Sequence, residues 1–201
     1  MIESLALIAA TGVLSGSPQP QHPVLNTSPP PRVLSKFGRL AVALRCPRTP
    51  PASFFFDVER ARTHFRALCV QSVVQASSDR AARAVVYAFR AVGSRYSQAD
   101  RGGLGVYDCS SLVSRAWFAA GVSAMRQGGS SSPYWPTTYT LLDGAGGTYR
   151  VSGPGRPGDL VFPHSGHVMM RISQGLVIHA SSPATGVRVS AGSGSVIMRV
   201  R

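Results

Sequence analysis

From Gly158 to the C-terminus the apolar residues fall into short runs separated by Gly and Ser clusters. The runs are Asp159 to Phe162, His167 to Ile172, Leu176 to His179, Val187 to Ser190 and Val196 to Val200. Runs this short, bounded by turn residues, predict strands. The turn at Ser173 to Gly175 is tight, so the strands on either side of it run antiparallel. Upstream the period is helical. Ala76 to Val92 places Ala81, Val85, Ala88, Phe89 and Val92 on one face, with Ser77 or Ser78 to cap it, Asp79 on its dipole and Gly93 to end it. Ser110 to Ala120 repeats the pattern through Leu112, Val113, Ala116 and Trp117, and stops at Gly121. Phe54 to Val74 has helical spacing too. Helices first and strands afterwards predict an α+β domain, with N-terminal helices packed on an antiparallel sheet of five to six strands.

The front of the chain is expected to lie outside that core, as a tail or linker. Pro and Ser crowd Ser15 to Pro31, and Pro47, Pro50 and Pro51 follow. Such composition buries little surface per ordered residue. We therefore divide the chain into a leader or linker (1–52), a helical extension (53–75) and a folded domain (76–201). Leu5 to Leu14 is an apolar run of signal-peptide length, but Glu3 replaces the expected positive flank and no small-x-small cleavage site precedes Pro18. The run is too short to span a bilayer. A disordered leader and a mis-assigned start are the alternatives.

The formal net charge is +13, carried almost wholly by Arg, with Lys36 the only Lys. Such a chain is drawn to polyanions. The Arg residues are scattered rather than interleaved with aromatics, so nucleic acid is not the expected partner. None of Cys46, Cys69 and Cys109 sits in a CxxC pair, which excludes zinc-finger and thioredoxin chemistry. Cys46 and Cys69 can pair in an exported protein, but the apolar helical stretch around Cys69 favours a buried small side chain.

Cys109 stands where a Gly-rich loop, Arg95 to Tyr107, turns into a helix. Unpaired N–H groups and the positive dipole end favour thiolate there. Three of the five histidines, His164, His167 and His179, lie in the strand-rich half. His167 begins one strand and His179 ends the next, so an antiparallel hairpin can bring the two imidazoles together. A cysteine nucleophile needs a base oriented by a second polar group, and His167 with His179 supplies that pair. His164 is a rival base. Strand alternation expects it to face away from His167, so only one of the two can face Cys109. Zinc ligation by the same residues lacks an acidic or Cys cluster to support it.

Tyr107-Asp-Cys-Ser-Ser-Leu-Val, followed by Trp117 and Ala119-Ala-Gly-Val, resembles the nucleophile helix of NlpC-type cell-wall cysteine peptidases. Pro157-Gly-Asp-Leu-Val-Phe162, Gly166-His-Val168 and Val177-Ile-His-Ala-Ser-Ser-Pro183 resemble that family's later motifs, in order. Pro136-Thr-Thr-Tyr-Thr140 is similar to the substrate loop of actinobacterial members. The resemblance covers about Ala76 to Ser190. It implies a circularly permuted papain-like fold, a Cys109–His167–His179 triad and no cofactor or metal. It implies peptidoglycan stem peptides as substrate, cut between D-γ-glutamate and the diamino acid that follows. It also implies that Asp108 binds the free amine of an N-terminal L-alanine, with Tyr96 and Ser110 lining that pocket and Thr138 near a substrate-contacting hydroxyl position. The expected partner is the anionic cell wall, met through the basic surface by a monomer that is secreted or phage-encoded.

The chain departs from the family pattern in places. Ser111 replaces a common Gly, Ser97-Gln-Ala-Asp-Arg101 replaces an aromatic-Gly-Gly segment, and Pro136 replaces an Arg. Met169-Met-Arg171 stands where Gly-Ile-Tyr is usual, and about ten residues are inserted near Met125 to Tyr134. These changes bear on specificity more than on chemistry. An amidase or acyltransferase on the same fold is a second reading, because a thioester can be resolved by different nucleophiles. A wall-binding or phage structural module is a third; it predicts loss of Cys109 or His167, and both are present.

Overall fold

The computed structural model describes residues 44–48, 64–126 and 134–201. The apolar run Leu5 to Leu14, the part of the first expected helix before residue 64 and most of the inserted segment lie outside them. Four α-helices lie among the described residues: α1 (Phe65–Gln75), α2 (Asp79–Ala91), α3 (Cys109–Ala119) and the short α4 (Thr138–Leu142). Ser78 caps α2 by accepting from the Ala81 N–H at 3.1 Å, as its Ser/Asp start foretells. α3 begins one residue earlier than expected, because Asp108 caps it reciprocally with Ser111.

Five strands match the five apolar runs: β4 (Leu160–His164), β5 (His167–Ser173), β6 (Leu176–Ser182), β7 (Gly186–Ala191) and β8 (Val196–Val200). A sixth, β3 (Thr148–Arg150), completes an antiparallel sheet of order β3-β8-β4-β5-β6-β7. Sequence alone missed β3 because a three-residue strand has no measurable period. It also missed β1 (Arg95–Tyr96) and β2 (Val106–Tyr107), a parallel pair inside the Gly-rich loop.

The helices cover one face of the sheet. Phe65, Phe89, Trp117, Phe162, Met170, Ile172 and Ile178 meet in one buried core. Fully burying each such side chain contributes about 1.5–3 kcal/mol. The other face holds a smaller cluster of Val161, Met169, Val177 and Ile197. Burial on both faces explains why these strands read as continuous apolar runs rather than alternating ones. Trp117 ties α3 to the start of β4 by donating from Nε1 to the Gly158 carbonyl at 3.2 Å. Gly158 has φ +96°, and a Cβ there would lie 2.8 Å from the Ala81 Cβ, so only glycine lets α2 and α3 close on this turn.

Cys46 and Cys69 form a disulfide with Cα atoms 5.9 Å apart. Cys69 is therefore not the simple buried thiol that its helical context favoured, although it is fully buried. The bond staples residues 44–48 to α1, and Arg90 of α2 donates to the Leu44 and Arg45 carbonyls beside it. Closing a loop of 23-residue separation removes unfolded-state entropy worth roughly 3 kcal/mol. Phe65, Leu68 and Val73 of α1 join the same core as α2 and α3.

Candidate active site

Cys109 is the first residue of α3, 6% exposed, and is the chain's free thiol. The N–H groups of Val168, Ser110 and Cys109 itself face its sulfur and favour thiolate. Burial outweighs them, with Asp108 adding repulsion, and pushes the thiol up from its ordinary value. The helix-start argument for a ready thiolate is thus reversed by desolvation, which penalises the charged form. A buried thiol of this kind needs a base at the moment of attack.

Val168 directly follows His167 at the start of β5. His167 Nε2 and His179 Nδ1 lie 2.8 Å apart, and His179 Nε2 lies 3.0 Å from Ser190 Oγ. The antiparallel register puts Val177 opposite Ser190 and Arg171 opposite Val177. His167, His179 and Ser190 thereby share one face of three adjacent strands. Ser190 had no signal in the sequence, since an isolated Ser in a strand looks like any other. With Nε2 engaged, Nδ1 is the nitrogen His167 has left for another partner. A proton on His167 Nε2 then fixes the order: Nε2–H donates to His179 Nδ1, and His179 Nε2–H donates to Ser190 Oγ.

His164 differs from expectation. It closes β4 and His167 opens β5, with only Ser165 and Gly166 between, so the two are directly opposed across strands. Opposed residues project to the same side, and the rings stack with centroids 6.2 Å apart. Alternation along one strand does not apply across a turn. His164 is exposed, accepts from the Gly166 N–H at Nδ1, and contributes to lowering the His167 pKa after burial.

Burial, then repulsion from His167, lowers the His179 pKa from 6.5 to about 4. Between those values the unfolded chain binds more protons than the folded one. The stability His179 contributes is therefore complete above the unfolded value and is lost as pH falls through the window, by roughly 3 kcal/mol. A His179→Gln variant should show a smaller drop in urea midpoint between pH 7 and pH 4 than the wild type. An identical drop in both proteins would contradict this account.

The other predicted residues gather on the α3 side. Asp108 Oδ1 accepts from the Ser111 N–H at 2.6 Å and from Ser110 Oγ at 3.2 Å. Its Oδ2 lies 3.1 Å from Arg101 Nε. Tyr96, on β1, has its phenol pKa raised by burial, then by Cys109 and Asp108, which places its ring near both. β1 reaches this position because the preceding loop extends the sheet edge: Gly93 N–H donates to the Val187 carbonyl and Val187 N–H to the Ser94 carbonyl, both at 2.9 Å. Thr138 is buried at the start of α4, whose cap is Thr137 paired with Thr140. That segment is linked to the site through Arg101, which donates to the Trp135 and Pro136 carbonyls at 3.2 and 2.9 Å. Arg101 itself escaped the sequence reading, where it was one of many scattered Arg residues. Among the described residues no three His, Cys, Asp or Glu side chains are grouped to hold a metal ion, and no helix is long and apolar enough to cross a membrane.

The architecture is that of an α+β domain whose helix-borne thiol precedes, in chain order, a sheet carrying paired imidazoles. The NlpC/P60 family profile matches residues 86–199, more than half of the chain, and the chain belongs to the NlpC/P60 family. Among solved structures the chain is similar to NlpC1 from Trichomonas vaginalis, at 20% identity and a TM-score of 0.45 over 63% of this chain and 45% of that one. It is similar to the P60 domain of an antigen from M. avium subspecies paratuberculosis, at 18% identity and a TM-score of 0.45 over 60% and 94% of the two chains. NlpC2 from Trichomonas vaginalis gives 20% identity and a TM-score of 0.45 over 65% and 49%. The matches thus span less than half the length of the two Trichomonas proteins. No curated protein sequence matches the chain.

Proposed function

We propose that this chain is a cysteine endopeptidase that hydrolyses the D-γ-glutamyl–diamino acid bond of peptidoglycan stem peptides. The observation that carries this reading is the Ser190–His179–His167 chain of hydrogen bonds, which ends beside the backbone that holds the Cys109 thiol. His167 Nδ1 takes the thiol proton as sulfur attacks the amide carbonyl. The tetrahedral oxyanion is held by the Cys109 backbone N–H at the helix start. The C–N bond breaks as His167 returns its proton to the leaving amine, which leaves a thioester on Cys109. Water, deprotonated by His167, then releases the acid and restores the thiol. His179 stays neutral through this cycle because its pKa is lowered to about 4, so it orients His167 rather than competing for the proton. Tyr96, Asp108, Ser110 and Thr138 belong to the substrate side. The Cys46–Cys69 disulfide supports action outside the cytoplasm, and the charge of +13 supports adhesion to an anionic wall.

Digestion of defined muropeptides followed by mass spectrometry tests the assignment. A new D-glutamate carboxyl and a new free amine on the diamino acid are expected. Release of the intact stem peptide from the sugar would show an amidase instead.

A further inference from the structure

A third imidazole, His164, is held against the proposed base by a break in the sheet. Continued from Val161 opposite Met169, the regular β4–β5 register would set Pro163 opposite His167. Proline has no N–H to give to such a ladder. The register shifts between Val161 and His164, and His164 stands opposite His167 instead. A shift of one residue turns a side chain to the other face of a sheet, so this one brings His164 round to the face that carries His167. The two rings lie 29° from parallel with centroids 6.2 Å apart. Gly166 completes the seat. Its N–H donates to His164 Nδ1 at 3.2 Å, and a Cβ there would lie 3.4 Å from the same nitrogen.

The two rings are unequal. His164 is exposed, whereas His167 is half-buried. Burial penalises the charged form, so as pH falls the solvated ring takes the first proton. That proton displaces only the Gly166 contact, which is open to water. A second proton on His167 would then set two like charges beside each other. In accord with this, burial first and His164 next lower the His167 pKa. The other titratable groups near the pair do not change charge in mild acid. His179 of β6 has its pKa lowered to about 4, and Cys109 of α3 and Tyr96 of β1 have theirs raised. Asp108 is paired with Arg101, and Arg188 of β7 stands opposite His179; carboxylates and guanidinium groups titrate outside the window from pH 7 to pH 5. α1 and α2 meet β5 in the apolar core.

We propose that His164 is a positioning residue for the base: seated against His167 by the register shift, it takes the proton in mild acid, and its charge keeps His167 in the free form that attack on the amide requires. The inference rests on the peptidase reading above and extends that activity to lower pH than a lone half-buried imidazole would allow.

Two variants at this exposed position separate charge from ring. His164→Phe keeps a ring without the charge, and His164→Lys keeps the charge without the ring. The His167 ring signal, assigned by its loss in His167→Gln, is titrated by NMR without substrate. In parallel, kcat/KM on a defined stem peptide is measured from pH 7 to pH 5. In His164→Phe the His167 titration should move to higher pH, and kcat/KM should fall at least about threefold further across that range than in the wild type. His164→Lys should stay with the wild type in both. An unmoved His167 titration in His164→Phe, or a His164→Lys protein that behaves like His164→Phe, would overturn the proposal. The expected titrations with no cleavage at any pH would support the hold of His164 on His167 and overturn the peptidase reading. Cleavage with a pH profile that His164→Phe leaves unmoved would do the reverse.

Discussion

On the proposed mechanism, Cys109→Ala should abolish release of stem-peptide fragments from purified sacculi, and His167→Ala should reduce it by about 100- to 10,000-fold. The two expectations differ in kind. Without the sulfur no thioester forms, and neither remaining histidine can replace it as a covalent nucleophile. Without the base the sulfur remains, but its thiol is held up by burial, so little thiolate exists near neutral pH. The double variant should be no worse than Cys109→Ala alone, because groups that act as one unit are not additive. Fragment release by Cys109→Ala at more than a few per cent of the wild-type rate would rule out the covalent route. The pH profile adds a check. Burial lowers His167 and raises Cys109. The acid limb of kcat/KM therefore belongs below the ordinary histidine range and the alkaline limb above the ordinary thiol range.

The largest expected effect on stability comes from a residue remote from the chemistry. Asp159→Ala should cost about 3–5 kcal/mol in urea unfolding. Asp159 is fully buried at the entry to β4. Arg199 of β8 donates to it twice, Nε to Oδ1 and Nη2 to Oδ2, both at 2.8 Å. The Arg156 N–H donates to Oδ2 at 2.7 Å. Removing the carboxylate leaves a partly exposed guanidinium and a backbone N–H without their acceptor. Arg199→Ala leaves a buried carboxylate without its cation. Replacing both, as Asp159→Leu with Arg199→Met, should recover part of the loss, because Arg199 no longer lacks its carboxylate, whereas the buried Arg171 and the Arg156 N–H still lose theirs. A loss below about 1 kcal/mol for Asp159→Ala would mean that water reaches this turn freely.

Much of this protein is written in local pattern. The apolar runs after Gly158 specify strands because their lengths and Gly/Ser boundaries suit no other element. Ser78 announces a helix start because its side chain satisfies an N–H group that the helix cannot, whereas the Asp108 cap, one residue ahead of the expected start, was seen only in the structure. The meeting of His167 with His179 follows from a hairpin, whose geometry is local. Other features were not legible, because they depend on contacts between segments far apart in the chain. Ser190 reaches His179 only through the register of β6 with β7. Arg101 reaches Asp108 and the Trp135 and Pro136 carbonyls only once its loop is pinned on α3. The Cys46–Cys69 pairing depends on where residues 44–48 settle against α1 and α2. The thiol's acidity is the sharpest case. Sequence shows the helix start that favours thiolate, whereas only the packed site shows the desolvation that opposes it. Sequence by itself thus determined the longer helices, the five strands after Gly158 and the chemical groups, because capping, turn and periodicity rules act over a few residues. The tertiary structure alone decided the charge state and the neighbours of those groups, because burial and long-range contacts have no local signature.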